Sequence, residues 1–314
     1  MRILLAGASG VFGRVLTPAL ICTSQEICAG HEVVGITRTP DGVRVIEGMG
    51  AEAVVADVLD RDQLLAALSG RHFDAVISQL TALKKPPMRN KDMDVTNVLR
   101  TVGTENLMAA AKATGAARFL TQSMIFGYGY GDQGATPLTE EAFFGPSPRK
   151  SFARHGEAML RNEQIAFSEP GIDGIALRYG LFYGGPATNA YVDFLKAGKL
   201  PLVKAGTNGF IHLADAAGAT VAAVERGKGG EAYNIVDDTP APFADVAMEI
   251  AKDFRTKNPR IVPAWMTKPL PYLNAFITGR WVISNAKAKD QLGWQPQYPS
   301  YREGVKADAD AAGV

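Results

Sequence analysis

Three glycines close to the start of the sequence have the type and spacing that phosphate binding requires. Gly7, Gly10 and Gly13 lie in GASGVFG, after an apolar run and before a helical pattern. Glycine permits a tight turn and lets the backbone approach a pyrophosphate, which the N-terminal end of the next helix stabilises. The segment therefore predicts a dinucleotide-binding turn that includes Val11 and Phe12. The alternative is a tight turn with only a structural role.

Arg38 stands where the second apolar run ends, in GITRT (35–39). Proteins that bind NAD usually have an acidic residue at this strand end, whereas an arginine accommodates the 2′-phosphate of NADP. Arg38 therefore predicts NADP in preference to NAD, with the hydroxyl groups of Thr37 and Thr39 as further partners. The alternative is a solvated loop arginine, and Asp41 is close enough in sequence to keep that alternative open.

The segments that must position these residues alternate between short apolar runs and helical patterns. The apolar runs are typical of buried parallel strands, and the helices between them would cover both faces of the sheet. The predicted fold class is therefore α/β, with a doubly wound parallel sheet of the Rossmann type. Strands are predicted at 2–7, 31–38, 51–58, 74–80, 117–123 and 174–180, and helices at 12–20, 61–68, 98–115 and 153–167.

The composition of the sequence changes after residue 180. Glycine and proline become frequent up to about residue 209, a return to the sheet follows, and helices punctuated by proline dominate from about 238. We expect a dinucleotide-binding domain formed by 1–180 plus about 210–237. We expect a smaller, mostly helical substrate domain formed by about 181–209 plus 238–314.

The composition excludes several classes of partner. With 33 basic and 32 acidic residues, the chain has no net field that would attract nucleic acid or a membrane surface. Its apolar runs are broken well short of the roughly 20 residues that span a bilayer, and RILLAG is too short for a signal peptide. These features favour a cytoplasmic protein. Cys22 and Cys28 have no neighbouring His pair, so we expect reduced thiols and no metal site.

Several longer motifs resemble those of the extended short-chain dehydrogenase/reductases, the group of nucleotide-sugar epimerases, dehydratases and related reductases. The resemblance covers nearly the whole chain and implies a nicotinamide cofactor and a small-molecule substrate, with Asp57 and Val58 beside the adenine. A homodimer is one possible assembly. The motifs are GASGVFG, Ala56-Asp57-Val58, VGTENLMAAAKATGAARFLTQSMIFGYG, LRYGLFYGGP, FIHLADAA and SNAKAKDQLGWQPQYPSYREGV.

The sequence departs from this family at the catalytic pair. Family members normally carry Tyr-x-x-x-Lys on the helix after the fifth strand, where the lysine lowers the phenol pKa of about 10 and holds the nicotinamide ribose. Aligning Glu163-Gln164 with the family's Glu-Gln places His155 at the tyrosine and Met159 at the lysine. No tyrosine lies between 131 and 178, and none of the nine tyrosines has a lysine four positions later.

The family's catalytic serine or threonine also lacks a clear counterpart. The alignment places Gln122 at that position and Ser123 one residue further on, with Thr121 on the same side of the strand as Ser123. Because side chains alternate along a strand, only one of Gln122 and Ser123 can face the nicotinamide. Both are candidate catalytic residues, together with His155.

A third departure concerns the substrate. Nucleotide-sugar enzymes of this family commonly have Arg-Asp before the histidine of FIHLADAA, and that arginine grips the diphosphate. Here the two positions are Asn208 and Gly209. The loss of a bidentate donor makes a nucleotide-sugar substrate doubtful, unless Arg280 substitutes for it.

His155 has two interpretations. An imidazole with a pKa near 6.5 can act as an acid or base at neutral pH without a lysine. Alternatively, His155 is a polar residue that lines a vacated site. Tyr128, Tyr179 and Tyr183 are expected near the cleft, where packing is favoured over the role of a displaced catalytic phenol. Two functions follow: an atypical NADP-dependent oxidoreductase or epimerase/dehydratase-like enzyme, or a catalytically silent NADP-binding sensor or partner-binding protein.

Overall fold

Parallel strands form the central sheet of the protein. The computed structural model describes residues 1–21, 30–83, 87–198 and 202–314, so Cys22 and Cys28 lie outside the described residues. In chain order the strands are β1 (Arg2–Ala6), β2 (Glu32–Thr37), β3 (Glu52–Val55), β4 (Ala75–Ser78), β5 (Arg118–Met124), β6 (Asp173–Tyr179), β7 (Leu181–Tyr183), β8 (Phe210–His212) and β9 (Glu231–Ile235). Seven of them form one sheet in the order β3-β2-β1-β4-β5-β6-β9, while β7 and β8 form a separate parallel pair.

The strand order reverses at β1, which pairs with β2 on one side and with β4 on the other. Leu4 is the partner of Val34 and also of Val76. In a doubly wound sheet the connections leave such a point in opposite directions, and ligands bind in the crevice at the carboxyl ends of its strands. The glycine turn follows β1 at this crevice, and Arg38 follows β2.

Helices cover both faces of the seven-stranded sheet. They are α1 (Gly13–Ile21), α2 (Pro40–Glu47), α3 (Arg61–Ala67), α4 (Asp94–Val98), α5 (Thr104–Ala113), α6 (Lys150–Phe167), α7 (Pro186–Lys196), α8 (Leu213–Arg226), α9 (Phe243–Asp253), α10 (Pro271–Thr278), α11 (Ala286–Leu292) and α12 (Tyr301–Ala311). Leu16 of α1 and Val224 of α8 belong to the buried cluster on one face. Leu64 of α3, Leu107 of α5 and Ile165 of α6 belong to the cluster on the other. This arrangement confirms the predicted α/β fold class.

A further buried cluster joins the segment after β5 to the C-terminal helices. It contains Phe126, Phe210, Phe243 and Trp281. The indole N–H of Trp281 donates to the carbonyl oxygen of Gly129 at 2.8 Å, which holds the C-terminal segment against the carboxyl end of β5. The predicted division into two discontinuous domains stays a prediction. Within the described ranges, no helix combines the length and apolarity needed to cross a bilayer.

The helix predicted at 98–115 differs from the prediction in one respect. Residues Leu99–Gly103 form a π-helical turn between α4 and α5. The amide of Thr104 donates to the carbonyl oxygen of Leu99, five residues back, so the turn holds one residue more than an α-helical turn. The apolar pattern continues through this turn, and for that reason the sequence predicts a single helix.

Candidate active site

The glycine turn after β1 has a backbone conformation that favours glycine. Gly7 has a φ of +95°, and a Cβ there would lie 2.6 Å from the carbonyl oxygen of Gln79. A Cβ at Gly13 would overlap the carbonyl oxygen of Gly7, so the first turn of α1 lies directly on the loop. The amide of Gly10 closes the turn by donating to the oxygen of Gly7 at 3.0 Å.

The start of α1 offers free backbone donors. The N–H groups of Val11 and Phe12 donate to no backbone acceptor among the described residues. Phe12 is buried, and its ring lies 5.2 Å from that of Phe182 and 5.5 Å from that of Tyr179, whereas Val11 is exposed. Because the positive end of a helix dipole and unpaired N–H groups both favour anions, this turn fits the pyrophosphate of a dinucleotide.

Arg38 and Asp57 lie next to each other at the carboxyl ends of β2 and β3. Nη1 of Arg38 is 3.9 Å from Oδ2 of Asp57, and the arginine side chain is 69% exposed. The Asp57 carboxylate accepts from the amide of Leu59 at 3.0 Å, and the carbonyl of buried Val58 accepts from the Asn106 side chain. Arg38 is therefore loosely held and can turn toward a ligand phosphate.

The other groups near Arg38 already have partners. The hydroxyl of Thr39 accepts from the amide of Gly42 at 3.1 Å and so caps α2. Thr37 is buried, and its hydroxyl oxygen is 3.4 Å from the amide of Thr39. Asp41 forms an ion pair with Arg44 on the same helix. Asp41 therefore does not compete for Arg38.

His155 lies on α6 and is completely buried. Its Nδ1 is 2.9 Å from the side-chain nitrogen of Asn97, and its Nε2 is 3.3 Å from the side-chain oxygen of Asn90. Because the amide group of Asn97 donates, Nδ1 accepts and Nε2 carries the proton that it donates to Asn90. Both nitrogens of a neutral imidazole thus have a partner.

The surroundings of His155 disfavour its charged form. Burial, followed by the charges of Arg154 and Arg100, lowers the pKa of His155 to about 4, against the opposing effect of Asp94. At neutral pH the imidazole is therefore uncharged, and its single N–H proton is held by Asn90. This arrangement favours the interpretation of His155 as a polar residue that lines the site over its interpretation as a proton donor.

Three aromatic rings surround the imidazole. Together with His155 they form what we call the aromatic cluster: Tyr130, Phe152, His155 and Tyr272. The rings of Tyr130 and Phe152 stack at 4.5 Å, and the ring of Tyr272 lies edge-on to His155 at 5.7 Å. The hydroxyl oxygens of Tyr130 and Tyr272 are 3.4 Å apart. Because Tyr272 belongs to α10, the C-terminal part of the chain forms one wall of this cluster.

Helix α6 is fixed to the sheet by a buried ion pair. Arg178 of β6 donates to both carboxylate oxygens of Glu163, at 3.0 and 2.7 Å. Its Nη1 also donates to the hydroxyl of Tyr128 at 2.9 Å. This bidentate contact holds α6, which also carries His155 and Met159, against β6. Met159 is buried and has no group that could hold a ribose hydroxyl.

Ser123 and Gln122 face opposite sides of β5. The hydroxyl of Thr121 donates to the side-chain oxygen of Asn162 on α6 at 2.8 Å, so Thr121 and Ser123 point to the α6 side. Ser123 is completely buried, and its hydroxyl has no hydrogen-bond partner among the described residues. Gln122 is half-buried on the other side. Of the two candidates, only Ser123 shares the side of the sheet on which His155 lies.

The tyrosines considered as displaced phenols are engaged elsewhere. The hydroxyl of Tyr128 donates to the side-chain oxygen of Asn234 at 2.7 Å, and burial raises its pKa to about 12. The hydroxyl of Tyr179 is 2.7 Å from that of Thr220, and burial raises the pKa of Tyr179 as well. A phenol with a raised pKa is a poorer acid than an ordinary tyrosine. Neither residue therefore replaces the missing tyrosine.

The two positions where nucleotide-sugar enzymes of the family have Arg-Asp are buried or closely packed in this protein. Asn208 is completely buried, with neither side-chain atom bonded to a described residue, and a Cβ at Gly209 would lie 2.9 Å from Val236. Arg280 is half-exposed and lies 3.7 Å from Asp132. The prediction that nucleotide sugars bind poorly stays a prediction. In the described part of the chain, no group of three His, Cys, Asp or Glu residues could hold a metal ion.

Sequence reasoning missed the residues that surround His155. Asn90, Asn97 and Arg100 come from a segment that precedes His155 by more than fifty positions. One signal was available for Arg100. It is a helical arginine with no acidic residue three or four positions away on either side, in TNVLRTVGT (96–104). Such an arginine has no local partner and must find one elsewhere.

Comparisons with known proteins agree with the fold. Residues 3–236 match the model of the NAD dependent epimerase/dehydratase family. A Streptomyces protein named 3-diazoavenalumate denitrifying reductase is 36% identical over 321 residues, covering 97% of this chain and 99% of that protein. A Stigmatella aurantiaca protein named 4-hydroxy-2-methyl-3-oxo-4-farnesyl-3,4-dihydroquinoline-1-oxide ketoreductase is 25% identical, covering 76% of this chain and 69% of its own length.

Solved structures show the same fold at lower identity. The UDP-glucose 4-epimerase of Thermotoga maritima is 19% identical with a TM-score of 0.79, covering 99% of this chain and 98% of its own. A dTDP-glucose 4,6-dehydratase of Streptomyces venezuelae is also 19% identical, with a TM-score of 0.77 and coverage of 99% and 96%. The chain belongs to the NAD-dependent epimerase/dehydratase family, the extended short-chain dehydrogenase/reductases, and is an oxidoreductase of that type with a nicotinamide cofactor.

Proposed function

We propose that the protein is an NADPH-dependent reductase that replaces the diazo group of an aromatic substrate with hydrogen. The observation that carries this proposal is the state of His155. At the position of the family's tyrosine it is buried, neutral at pH 7 and bonded through both ring nitrogens. A site built in this way supports a reaction that needs a hydride and no proton from the protein.

Reductive loss of a diazo group is such a reaction. The C–N bond of an aryl diazonium ion breaks, dinitrogen leaves with the bonding pair, and a hydride supplies the pair of the new C–H bond. The positive charge of the diazonium ion and the negative charge of the hydride cancel, so no proton is consumed. Reduction of a carbonyl group instead leaves an alkoxide that an acid must protonate. The bound reduced nicotinamide would supply the hydride.

The relatives support this choice. The relative at 36% identity is named as a denitrifying reductase of a diazo compound, and it matches this chain over nearly its full length. The relative named as a ketoreductase is 25% identical and matches less of the chain. The higher identity to the denitrifying reductase favours loss of a diazo group over reduction of a ketone.

The cofactor that we propose is NADP(H). Gly7, Gly10 and Gly13, with the amides of Val11 and Phe12, would hold the pyrophosphate at the start of α1. Asp57 and Val58 would lie beside the adenine. Arg38, exposed and loosely paired, supports a preference for the 2′-phosphate. Ser123 has a buried hydroxyl without a partner among the described residues, which suits it to orient the substrate in the cleft.

Isotope transfer tests the reaction. The protein would be incubated with an aryl diazonium carboxylate and NADPH that carries deuterium at the transferable position. We expect one deuterium in the arene product, none when only the solvent is deuterated, and one dinitrogen released per NADPH oxidised. Heat-inactivated protein measures the uncatalysed reaction. Gly13→Val, which blocks the turn, should reduce turnover to that background.

Three outcomes would contradict the proposal. One is deuterium from the solvent in the product. A second is efficient reduction of ketones or turnover of nucleotide sugars without turnover of diazo compounds. The third is NADP binding without turnover of any substrate, which would favour the silent NADP-binding protein. Thermal-shift assays with UDP, dTDP and GDP sugars, in the presence of NADP, test whether nucleotide sugars bind.

We also propose that the protein forms a homodimer through α4, the π-helical turn and α6. Val95, Val98 and Val102 are spaced by three and four residues and are all exposed. Beside them, two ion pairs link α4 and α5 to α6, Arg154 with Asp94 at 3.0 Å and Arg161 with Glu105 at 2.7 Å. An apolar ridge flanked by both signs of charge is self-complementary, as a two-fold contact requires.

A further inference from the structure

Arg100 is half-buried, and its surroundings differ from those of the buried Arg178. Its Nη1 is buried and has no hydrogen-bond partner, and no carboxylate lies within ion-pair distance in the described part of the chain. Arg178, in contrast, makes a bidentate ion pair with Glu163. A guanidinium group stays charged at neutral pH. Withdrawing part of a charged group from water without giving it a partner is costly, so the position of Arg100 requires an explanation.

The backbone at Arg100 is unusual as well. Arg100 lies in the π-helical turn Leu99–Gly103, where the Thr104 amide reaches back to Leu99. A π-helical turn inserts one residue into the helix and rotates the side chains that follow it, and such turns are frequent at functional sites. The side-chain oxygen of Asn97, one helical turn earlier, is buried and also has no partner among the described residues.

Arg100 lies near the aromatic cluster, because Asn97, one helical turn earlier, contacts His155 at 2.9 Å. Its charge acts on the titration of His155, and the phenols of Tyr130 and Tyr272 act on that of Arg100. Burial lowers the pKa of Arg100 from its usual value, because part of the guanidinium group is withdrawn from water. The charged groups that act on His155 and Tyr272 of the cluster, besides Arg100, are Arg154, Asp92 on the neighbouring turn and Asp94 of α4. Both carboxylates have partners: Asp92 accepts from the amides of Met88 and Arg89, and Asp94 pairs with Arg154.

We propose that Arg100 binds the carboxylate of a planar aromatic acid, with the aromatic cluster as the wall against which the conjugated body of the acid lies. A carboxylate supplies the two acceptors that a guanidinium group prefers, and it neutralises a charge that the protein leaves unpaired. Aromatic side chains favour a flat conjugated ligand over a sugar. This inference names the substrate class of the reductase and rests on the proposed function for its connection to turnover.

Calorimetry with an unreactive probe tests the subsite. The probe is trans-4-hydroxycinnamate, and its methyl ester is the uncharged analogue, both titrated into the complex of the protein with NADP+. We expect the acid to bind about 10-fold or more tightly than the ester. In Arg100→Met the affinity for the acid should fall to that for the ester, while the affinity for the ester should stay unchanged. Arg100→Lys should retain part of the preference, because the charge remains and the bidentate geometry is lost.

Arg161→Met is the matched control. It removes the same charge from α6, where Arg161 is exposed and paired with Glu105, and it should leave both affinities unchanged. NADP+ affinity and the thermal midpoint of each variant check that the fold is intact. Should Arg100→Met fail to fold, the ratio of acid to ester in the unmodified protein and in Arg100→Lys decides the matter.

Equal affinity for acid and ester in the unmodified protein would overturn the inference, as would an unchanged acid preference in Arg100→Met. Displacement of the acid by sulfate or phosphate at equal concentration would also overturn it, since a general anion site would be shown instead. The binding test needs no turnover. Acid preference without reduction of diazo compounds would therefore refute only the proposed reaction, and reduction without acid preference would refute only this subsite.

Discussion

At the scale of a single residue, Arg38 is the basis of the proposed preference for NADP. Its guanidinium group is exposed and is 3.9 Å from Asp57, so it can leave this weak pair to bind a 2′-phosphate. We expect Arg38→Ala to weaken NADP binding by about 1.5–3 kcal/mol, the value of a charge-assisted contact, and to leave NAD binding unchanged. Calorimetry with both cofactors measures the difference.

Arg44→Ala is the control for this prediction. Arg44 lies on α2 and pairs with Asp41, so its loss removes the same charge from the same region. Its removal should leave the ratio of the two affinities unchanged. Equal affinity of the unmodified protein for NADP and NAD would show that Arg38 is a solvated loop residue.

The low pKa of His155 leads to a prediction about kcat and its dependence on pH. Since its pKa is about 4, its charge does not change between pH 6 and pH 8, and kcat should show no histidine-like titration in that range. His155→Gln keeps polar contacts to the two asparagines and should retain turnover within about 10-fold, whereas loss of a general acid typically costs about 10²–10⁴-fold. Steady-state rates against pH measure both. A bell-shaped profile with a loss of that larger size would restore His155 as the proton donor.

Single residues were predictable from the sequence where their partners are close in the chain. The glycine turn and Arg38 depend on neighbouring backbone and on one strand end, and the structure brings them to the same crevice. The partners of His155 come from far away, because Asn97 precedes it by 58 positions and Asn90 by 65. Tertiary packing sets their distance and the burial that lowers the pKa, and no local pattern contains either.

At the scale of elements, strands and helices followed from their apolar periods. The π-helical turn did not, since one additional residue shifts the helical period by less than the scatter of apolar positions. The turn nevertheless contains Arg100, and its additional residue rotates the side chains that follow it. The same holds for the 3₁₀ turn Asn90–Met93, which carries one partner of His155 and has no apolar period of its own.

The contacts of His155 join three elements and predict a loss of stability in acid. The pKa of the imidazole is about 4 in the folded protein and about 6.5 in the unfolded chain. Between these values the unfolded chain binds more protons than the folded protein. The contribution of His155 to the free energy of unfolding is therefore fully present above about pH 6.5, and it decreases as the pH drops toward 4. The difference corresponds to at most about 3 kcal/mol.

Chemical denaturation at several pH values measures this effect. The unmodified protein should lose stability between pH 6.5 and pH 4 relative to His155→Gln, which cannot titrate. Other groups titrate in both proteins and cancel in the comparison. Parallel stability curves for the two proteins would show that His155 has an ordinary pKa and that its contacts with Asn90 and Asn97 are not maintained.

At the scale of the whole molecule, the alternation of strands and helices was sufficient to predict the sheet and its covering helices. It was insufficient to show that the C-terminal helices reach back to the carboxyl end of β5. That contact depends on Trp281, whose indole bonds to Gly129 over 152 positions, and on Tyr272 in the aromatic cluster. Contacts of this length are set by the global packing of the chain, and they bring the C-terminal part to the aromatic cluster around His155.

The proposed homodimer supplies the last prediction. Val98 is 43% exposed and lies between Val95 and Val102 on the ridge formed by α4 and the π-helical turn. Two copies related by a two-fold axis would bury this ridge against itself, so a lysine there places two like charges opposite each other.

Val98→Lys should weaken dimerisation by about 10-fold or more, because a buried interface residue is replaced by an unpaired charge. Sedimentation velocity over a dilution series measures the equilibrium. Val55→Lys is the matched control, since Val55 is 55% exposed but lies on the edge strand β3, away from the ridge. A monomeric unmodified protein at all concentrations, or equal weakening by both substitutions, would refute this interface. Since Val98 lies two residues before Arg100, calorimetry on the Val98→Lys monomer would also show whether the acid subsite forms in a single copy.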